Sequence, residues 1–230
     1  MLKRKGWARA FAMIEIIAIP IFILSVAILI PIAFRPFYYW QIDPLGIPAS
    51  SGFSKEEILV AFNDVLDFIW FHAPFKMGNL KYSSEGKAHF EDCVFLFHLD
   101  LWLCVITAVI LLTLFILKKT RVIKIADFFR FPPSFYGASV LLLFVIAVLI
   151  YGLIDFKGLF ATFHHVLFPG KENWIFDPDV DQFILILPEQ FMVNAGILIG
   201  SVSGAMTFGC LGYGIVKKAK SKNRRTIDEN

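Results

Sequence analysis

Four long apolar stretches, at 11–34, 94–117, 135–154 and 191–216, alternate with segments in which charges, prolines and glycines recur. Each holds the roughly 20 mostly apolar residues that an α-helix needs to cross a hydrocarbon core of about 30 Å, so the pattern predicts four transmembrane helices. Between the first two stretches the pattern becomes amphipathic. Ser54-Lys55-Glu56-Glu57 reads as a capping box, and Ile58, Leu59, Phe62, Leu66 and Ile69 follow at helical spacing, predicting a helix to about Phe71. A second start at 83–85 predicts a helix that runs straight into the second span. Between the third and fourth stretches, Gly158, Pro169, Gly170, Pro178 and Pro188 divide the chain into turns around a short helical or irregular piece near the lipid surface. NLKYS at 79–83 and FILIL at 183–187 have the composition of short strands.

The 230 residues are 57% hydrophobic, with mean hydropathy +0.68, well above a soluble domain. Charge then sets direction. The segment before the first span, the one between the second and third, and the one after the fourth hold 15 of the 22 basic residues and three of the 19 acidic ones, a net of +12. Segments 35–93 and 155–190 hold seven basic and 14 acidic residues, a net of −7, and Glu15 and Asp100 lie within spans. By the positive-inside rule both termini are cytoplasmic. The expected fold is an all-α integral membrane protein with four transmembrane helices and a small extracellular cap, with room for short β strands, built from the two acidic segments. The units are 1–34 (N-terminus and first span), 35–93 (first cap segment), 94–154 (two spans and a basic loop), 155–190 (second cap segment) and 191–230 (fourth span and basic tail). The first stretch is longer than a signal-peptide core and has no small-residue cleavage site, so it reads as a retained span. Cys93, Cys104 and Cys210 suggest no disulfide framework. Gly196, Gly200 and Gly204, four residues apart, predict close helix packing.

Candidate chemistry gathers at one membrane boundary. FHHVLFPGKENWIFDP at 163–178 places His164 and His165 among aromatics and carboxylates. On the helix entering the second span, His89, Asp92 and Cys93 share one face, and His98 and Asp100 fall one to two turns deeper. FRPFYYW at 34–40 reads as an interfacial aromatic belt, a pocket lining, or both. A lone interfacial histidine is an ordinary hydrogen-bonding residue, but His89, His164 and His165 arrive at one level from distant parts of the chain. Two imidazoles on facing elements can divide the work of base and acid near neutral pH. The same histidines with Asp92 form a mixed zinc-type donor set, although no paired metal motif is present. There is no G-x-S-x-G elbow, and Asp177 and Asp181 lack the rest of a calcium loop. Three readings follow: an enzyme working by histidine acid–base chemistry, a non-enzymatic lipid- or envelope-protein-binding partner, and a zinc-dependent membrane hydrolase. A transporter fits poorly, since the polar residues gather at one side and not at midplane.

EGKAHFEDC at 85–93 and FHHVLFPGKENWIFDPDVDQFILILPEQF at 163–191, with the aromatic FYYW and the SKEE helix start, resemble the bacterial lipoprotein intramolecular transacylases, Lit. The resemblance implies four transmembrane helices under an extracellular cap and two catalytic histidines where cap meets membrane. It also implies a reaction in which the sn-2 acyl chain of a diacylglyceryl-modified lipoprotein moves to the amino group of that lipoprotein's N-terminal cysteine. Matched motif to motif, the catalytic histidines are His89 and His164, with His165 the alternative in register and Asp92 orienting. Phe37, Tyr38, Tyr39, Trp40, Phe163, Trp174, Phe176 and Asp177 are the expected substrate-binding residues. The expected partners are lipoproteins and membrane lipids at a bacterial cell membrane, with the active site on the extracellular face and with no nucleic acid, metal or cofactor.

Overall fold

The computed structural model describes residues 2–228, with side chains for residues 5–222. The side chains of Lys3, Arg4, Arg224, Arg225, Asp228 and Glu229, counted in the charge pattern, lie outside those described. All regular structure among the described residues is helical: α1 (Leu2–Ala33), α2 (Pro36–Tyr39), α3 (Ile47–Ser51), α4 (Lys55–Phe71), α5 (Ser84–Lys119), α6 (Pro133–Ile154), α7 (Phe156–Leu167), α8 (Phe183–Ile186) and α9 (Glu189–Asp228). Among the described residues four stretches are long and apolar enough to cross a membrane: Lys5–Ala33, Ser84–Lys119, Pro133–Ile154 and Glu189–Lys222. α5 is unbroken over 36 residues, about 54 Å at 1.5 Å per residue, and so is far longer than a hydrocarbon core. Apart from Asp100 and the terminal Lys118 and Lys119, its charges lie in the first turns, at Glu85, Lys87, Glu91 and Asp92, so most of the surplus length lies at that end, around His89.

The expected strands are absent. FILIL forms the single turn α8, and NLKYS contributes only to an isolated bridge between Met77 and Asn79. Both segments are too short, and too occupied by other partners, to form a ladder. Lys81 N–H donates to Gln182 Oε1 (2.8 Å) and Gln182 N–H donates to the Lys81 carbonyl (3.1 Å), so these two backbones are satisfied by one reciprocal clasp.

The chain divides into two compact units. One comprises residues up to Ala27, Trp102–Leu149 and the chain from Gly200 on; the other comprises Ile28–Leu101 and Ile150–Ile199. In the first, Ile19, Ile23 and Leu141 form a small buried core. Glu15 has a structural task there: it accepts a hydrogen bond from the backbone N–H of Ser134 in the first turn of α6, with Lys118 and Lys217 supplying positive charge nearby. The close approaches use other glycines than the expected stripe. A Cβ at Gly137 would stand 2.6 Å from the Ile16 carbonyl oxygen, and one at Gly214 would stand 2.7 Å from the Phe135 ring, whereas in the expected stripe Gly200 has only an ordinary 3.4 Å contact with Leu149 and Gly196 and Gly204 have nothing within 4 Å.

The second unit has the larger core, formed by Tyr38, Ile42 and Ile47, the inner face of α4, Met77, Leu80, Phe90 of α5, and Phe183 and Ile186 of α8. α4 begins where the sequence predicts, with Ser54 Oγ accepting from Glu57 N–H (3.2 Å) and Glu57 Oε2 accepting from Ser54 N–H (2.9 Å). Its buried face of Ile58, Ala61, Phe62, Val65, Leu66 and Ile69 covers the core. α7 is a regular helix through Gly158, which lies in its first turn and does not break it; Asp155 caps the start by accepting from Gly158 N–H (2.8 Å). The turn after α7 needs Gly170, whose φ of 72° is left-handed.

One buried carboxylate holds the start of α5 to the segment that follows α7. Asp181 accepts from Ser83 N–H (2.7 Å) and from Ser83 Oγ (2.9 Å), and Ser83 Oγ in turn accepts from Gly86 N–H (2.8 Å). A side chain at position 86 would collide with that carboxylate, which explains the glycine inside a helical turn. Asp181→Ala leaves these donors without their acceptor and should cost about 1–3 kcal/mol. The expected reading is a lower thermal unfolding midpoint in detergent; an unchanged midpoint would mean the clasp contributes nothing to stability.

Candidate active site

α5 and α7 each present one buried histidine. His89 is 7% exposed and His164 is 8% exposed, and their ring centroids are 5.9 Å apart with the planes 34° from parallel. The reason His164 and not His165 takes this position is helical phase. α7 is amphipathic, with His164 on the inward face beside Phe160 four residues earlier, while His165, one residue on, is exposed and meets only the edge of Trp174 (5.2 Å).

The histidines are enclosed by aromatic rings. Trp174 stacks on His164 at 4.7 Å, and Phe160 lies 4.1 Å from the same ring. Phe163 meets it edge-on at 5.2 Å. His89 lies 4.8 Å from Phe168 and 5.4 Å from Phe176. Of the aromatic residues expected at a substrate pocket, Phe163, Trp174 and Phe176 therefore touch the histidines, and Phe160 and Phe168 join them without having been singled out in the sequence. The 37–40 cluster goes elsewhere. Tyr38 is fully buried, stacked on Phe62 at 3.8 Å with its hydroxyl donating to the Ile186 carbonyl (2.6 Å). Phe37 packs on Phe191, Tyr39 donates to Asn63, and Trp40 is 67% exposed against Phe34. A tyrosine stacked inside the core is unavailable to line a pocket. Asp177 accepts from Asp179 N–H (3.0 Å) and shapes a turn.

Hydrogen bonds fix the protons. His164 Nδ1 lies 2.8 Å from the Phe160 carbonyl oxygen. A carbonyl only accepts, so Nδ1 carries the hydrogen and the neutral ring bears its lone pair on Nε2. Burial lowers the pKa of His164 from its ordinary value near 6.5; the bond to Phe160 works the other way, and the neighbouring His165 lowers it further. His89 Nε2 is 3.5 Å from Cys93 Sγ, and His89 Nδ1 is buried with no hydrogen-bond partner among the described residues.

Asp92 makes no direct hydrogen bond to His89. Its oxygens are taken by Lys171 Nζ (2.5 Å) and Asn173 Nδ2 (3.0 Å), so the carboxylate anchors the 168–176 loop to α5. Trp174 Nε1 donates to the Lys171 carbonyl (3.1 Å), so the ring over His164 is positioned from the same anchor. A carboxylate can only accept, which orients Asn173 with its NH₂ toward Asp92; its Oδ1 is left buried and unpartnered. Two polar atoms, His89 Nδ1 on α5 and Asn173 Oδ1 on the loop after α7, thus lack partners in a site otherwise walled by rings, a pattern that a native protein keeps for a reason. Among the described residues no group of three or more His, Cys, Asp or Glu side chains is placed to hold a metal ion.

The family described as Lipoprotein intramolecular transacylase Lit matches residues 13–192. No curated protein matches the sequence. Among solved structures, the membrane integral lipoprotein intramolecular transacylase Lit from Bacillus cereus superposes with a TM-score of 0.83 at 23% identity, covering 95% of this chain and 99% of that one. Two variants of the same Bacillus cereus protein, carrying histidine-to-arginine and histidine-to-alanine substitutions, superpose with TM-scores of 0.77 and 0.76 at 22% identity, each over at least 97% of both chains. The fold is therefore that of a membrane-integral protein, and with the family match running through both histidine-bearing segments this multi-pass membrane chain belongs to the lipoprotein intramolecular transacylase Lit family.

Proposed function

We propose that this protein transfers the sn-2 acyl chain of a diacylglyceryl-modified lipoprotein to the α-amino group of the same lipoprotein's N-terminal cysteine, using His89 and His164 as an acid–base pair. The observation that carries this reading is the pair of buried imidazoles 5.9 Å apart, one of them with its lone pair fixed on Nε2. The excess of positive charge in the terminal segments and the 118–130 loop supports cytoplasmic termini. Segments 35–93 and 155–190 then form an extracellular cap, and the site opens on the outer face of a bacterial cell membrane.

The chemistry asks for two proton transfers. An α-amine has a pKa of about 7.7–8.0, so a large share is protonated and unable to attack at neutral pH. His164 Nε2 takes the proton as nitrogen attacks the ester carbon. The C–N bond forms, the bond from the acyl carbon to the glycerol oxygen breaks, and the proton returns to that oxygen as it leaves. His89 is the relay partner, its free Nδ1 available to the oxyanion or the leaving oxygen. Asn173 Oδ1 is an acceptor for an amine hydrogen, and Asp92 acts through the loop it anchors. The attack closes a ring of roughly eight atoms, so the protein's contribution is to fold the headgroup into a reactive shape and to exclude water that would hydrolyse the ester. Trp174, Phe176, Phe163, Phe160 and Phe168 form the water-excluding walls. No covalent acyl-enzyme is needed, and the amine and ester come from one substrate molecule.

The direct test is mass spectrometry on the purified protein with a dipalmitoylglyceryl lipopeptide. The expected product has unchanged mass with one ester converted to an amide; release of free palmitate would favour the hydrolase, and binding without conversion would favour a non-enzymatic partner. His89→Ala and His164→Ala should each lower kcat/KM by about 10²-fold or more with the protein still folded, and His165→Ala should retain transfer. Full activity in His164→Ala would move the base elsewhere.

The titration of His164 has a defined sign. A pKa depressed in the folded state means the unfolded chain binds the proton first, so the stability His164 contributes is present above the ordinary histidine range and is lost as pH falls through the depressed value. Histidine-resolved NMR should place its midpoint below 6.5, and His165→Ala should move it upward by removing a neighbouring charge. A midpoint at or above 6.5 in the native protein contradicts the buried, neutral ring.

A further inference from the structure

A cavity of about 290 Å³ lies between α7, α8 and the start of α9. Its walls are Phe156 and Phe160 of α7, Ile184 of α8, Leu187, and Met192 of α9, with Lys157 and Glu189 at its polar part. Lys157 Nζ and Glu189 Oε2 are 4.0 Å apart, and both side chains are well exposed, so this pair marks the open, solvated rim. Such exposed pairs cost little to separate. Apolar walls under a polar rim match a molecule with a hydrocarbon tail and a polar head.

Phe160 belongs to this cavity and to the histidine site at once. Its carbonyl holds the His164 Nδ1 hydrogen at 2.8 Å, its ring lies 4.1 Å from the His164 ring, and it lines the cavity. A substrate whose ester carbon stands at His164 therefore has this cavity as its neighbour through a single side chain. We propose that the cavity seats the tail of the acyl chain being transferred, with Met192 and Leu187 setting how long a chain it accepts. This rests on the transacylase reading and adds to it where the moving chain lies. Binding energy gathered on a part of the substrate remote from the reacting bond is a recognised means of fixing geometry at that bond, and a longer chain gathers more of it.

Two lipopeptide probes locate the chain in the wild-type protein, one with a diazirine at the end of the sn-2 chain and one at the end of the sn-1 chain. Photolysis and peptide mapping should place the sn-2 label within residues 156–160 or 184–192. Labelling there by the sn-1 probe instead, or equally by a diazirine phospholipid, overturns the assignment, as does sn-2 labelling elsewhere. Met192→Trp fills the cavity without touching the histidines. It should lower kcat/KM for a dipalmitoyl lipopeptide about tenfold relative to a dioctanoyl one, and an unchanged ratio in an active variant overturns the seat alone. A wild-type protein that transfers neither substrate removes the seat together with the function on which it rests, and the two failures are therefore told apart by the wild-type reaction.

Discussion

The hydrogen bond from His164 Nδ1 to the carbonyl of Phe160, 2.8 Å long and internal to one turn of α7, governs what the site can do. A neutral imidazole has one donor and one acceptor nitrogen, and a carbonyl partner settles which is which. It leaves Nε2 as the basic atom and holds the ring against rotation. Burial among Phe160, Phe168 and Trp174 then keeps that ring neutral to lower pH than a free histidine. On the proposed function, a base so placed is ready for the proton of an attacking amine, and the enclosing rings disfavour water as a competing nucleophile.

Around that bond the second unit supplies position. Asp92 draws in Lys171 and Asn173, and the loop they hold sets Trp174 over His164. Asp181 clasps the start of α5, the helix that carries His89. Tyr38 ties α2 to α8 through the Ile186 carbonyl. None of these three residues needs to meet substrate. Each takes up conformational freedom that would otherwise blur the distance between two histidines 75 residues apart in the chain, and distance and orientation are what the proposed intramolecular transfer would require of them.

Much of this was legible in the sequence, for identifiable reasons. The four spans follow from apolar length, and α4 from a capping box with a 3.6-residue apolar rhythm, both of them local signals. The continuity of α5 from its charged first turns into its span was readable because no proline interrupts Ser84–Lys119. What was hidden depends on contacts between distant residues. FILIL has strand composition yet folds as a turn, because Asp181 and Gln182 already commit its neighbours to Ser83 and Lys81. The tyrosines after the first span look like a pocket lining until Phe62 is seen stacked on Tyr38. Phe160 and Phe168 gave no motif; the one available signal was the i−4 spacing from Phe160 to His164, which lets a helical histidine reach back to a carbonyl. Asp92 reads as a partner for His89 on its own helix, whereas the nearest countercharge comes from Lys171, 79 residues later.

The central claim is that His89 and His164 act as one proton-transferring unit, and a double-variant cycle tests it most directly. Transfer by purified His89→Ala, His164→Ala and the combined variant would be compared on one lipopeptide. Residues that work as a unit are non-additive, so the account predicts that the double variant loses no more activity than the worse single one. Losses that multiply would show two independent contributions and contradict the pairing.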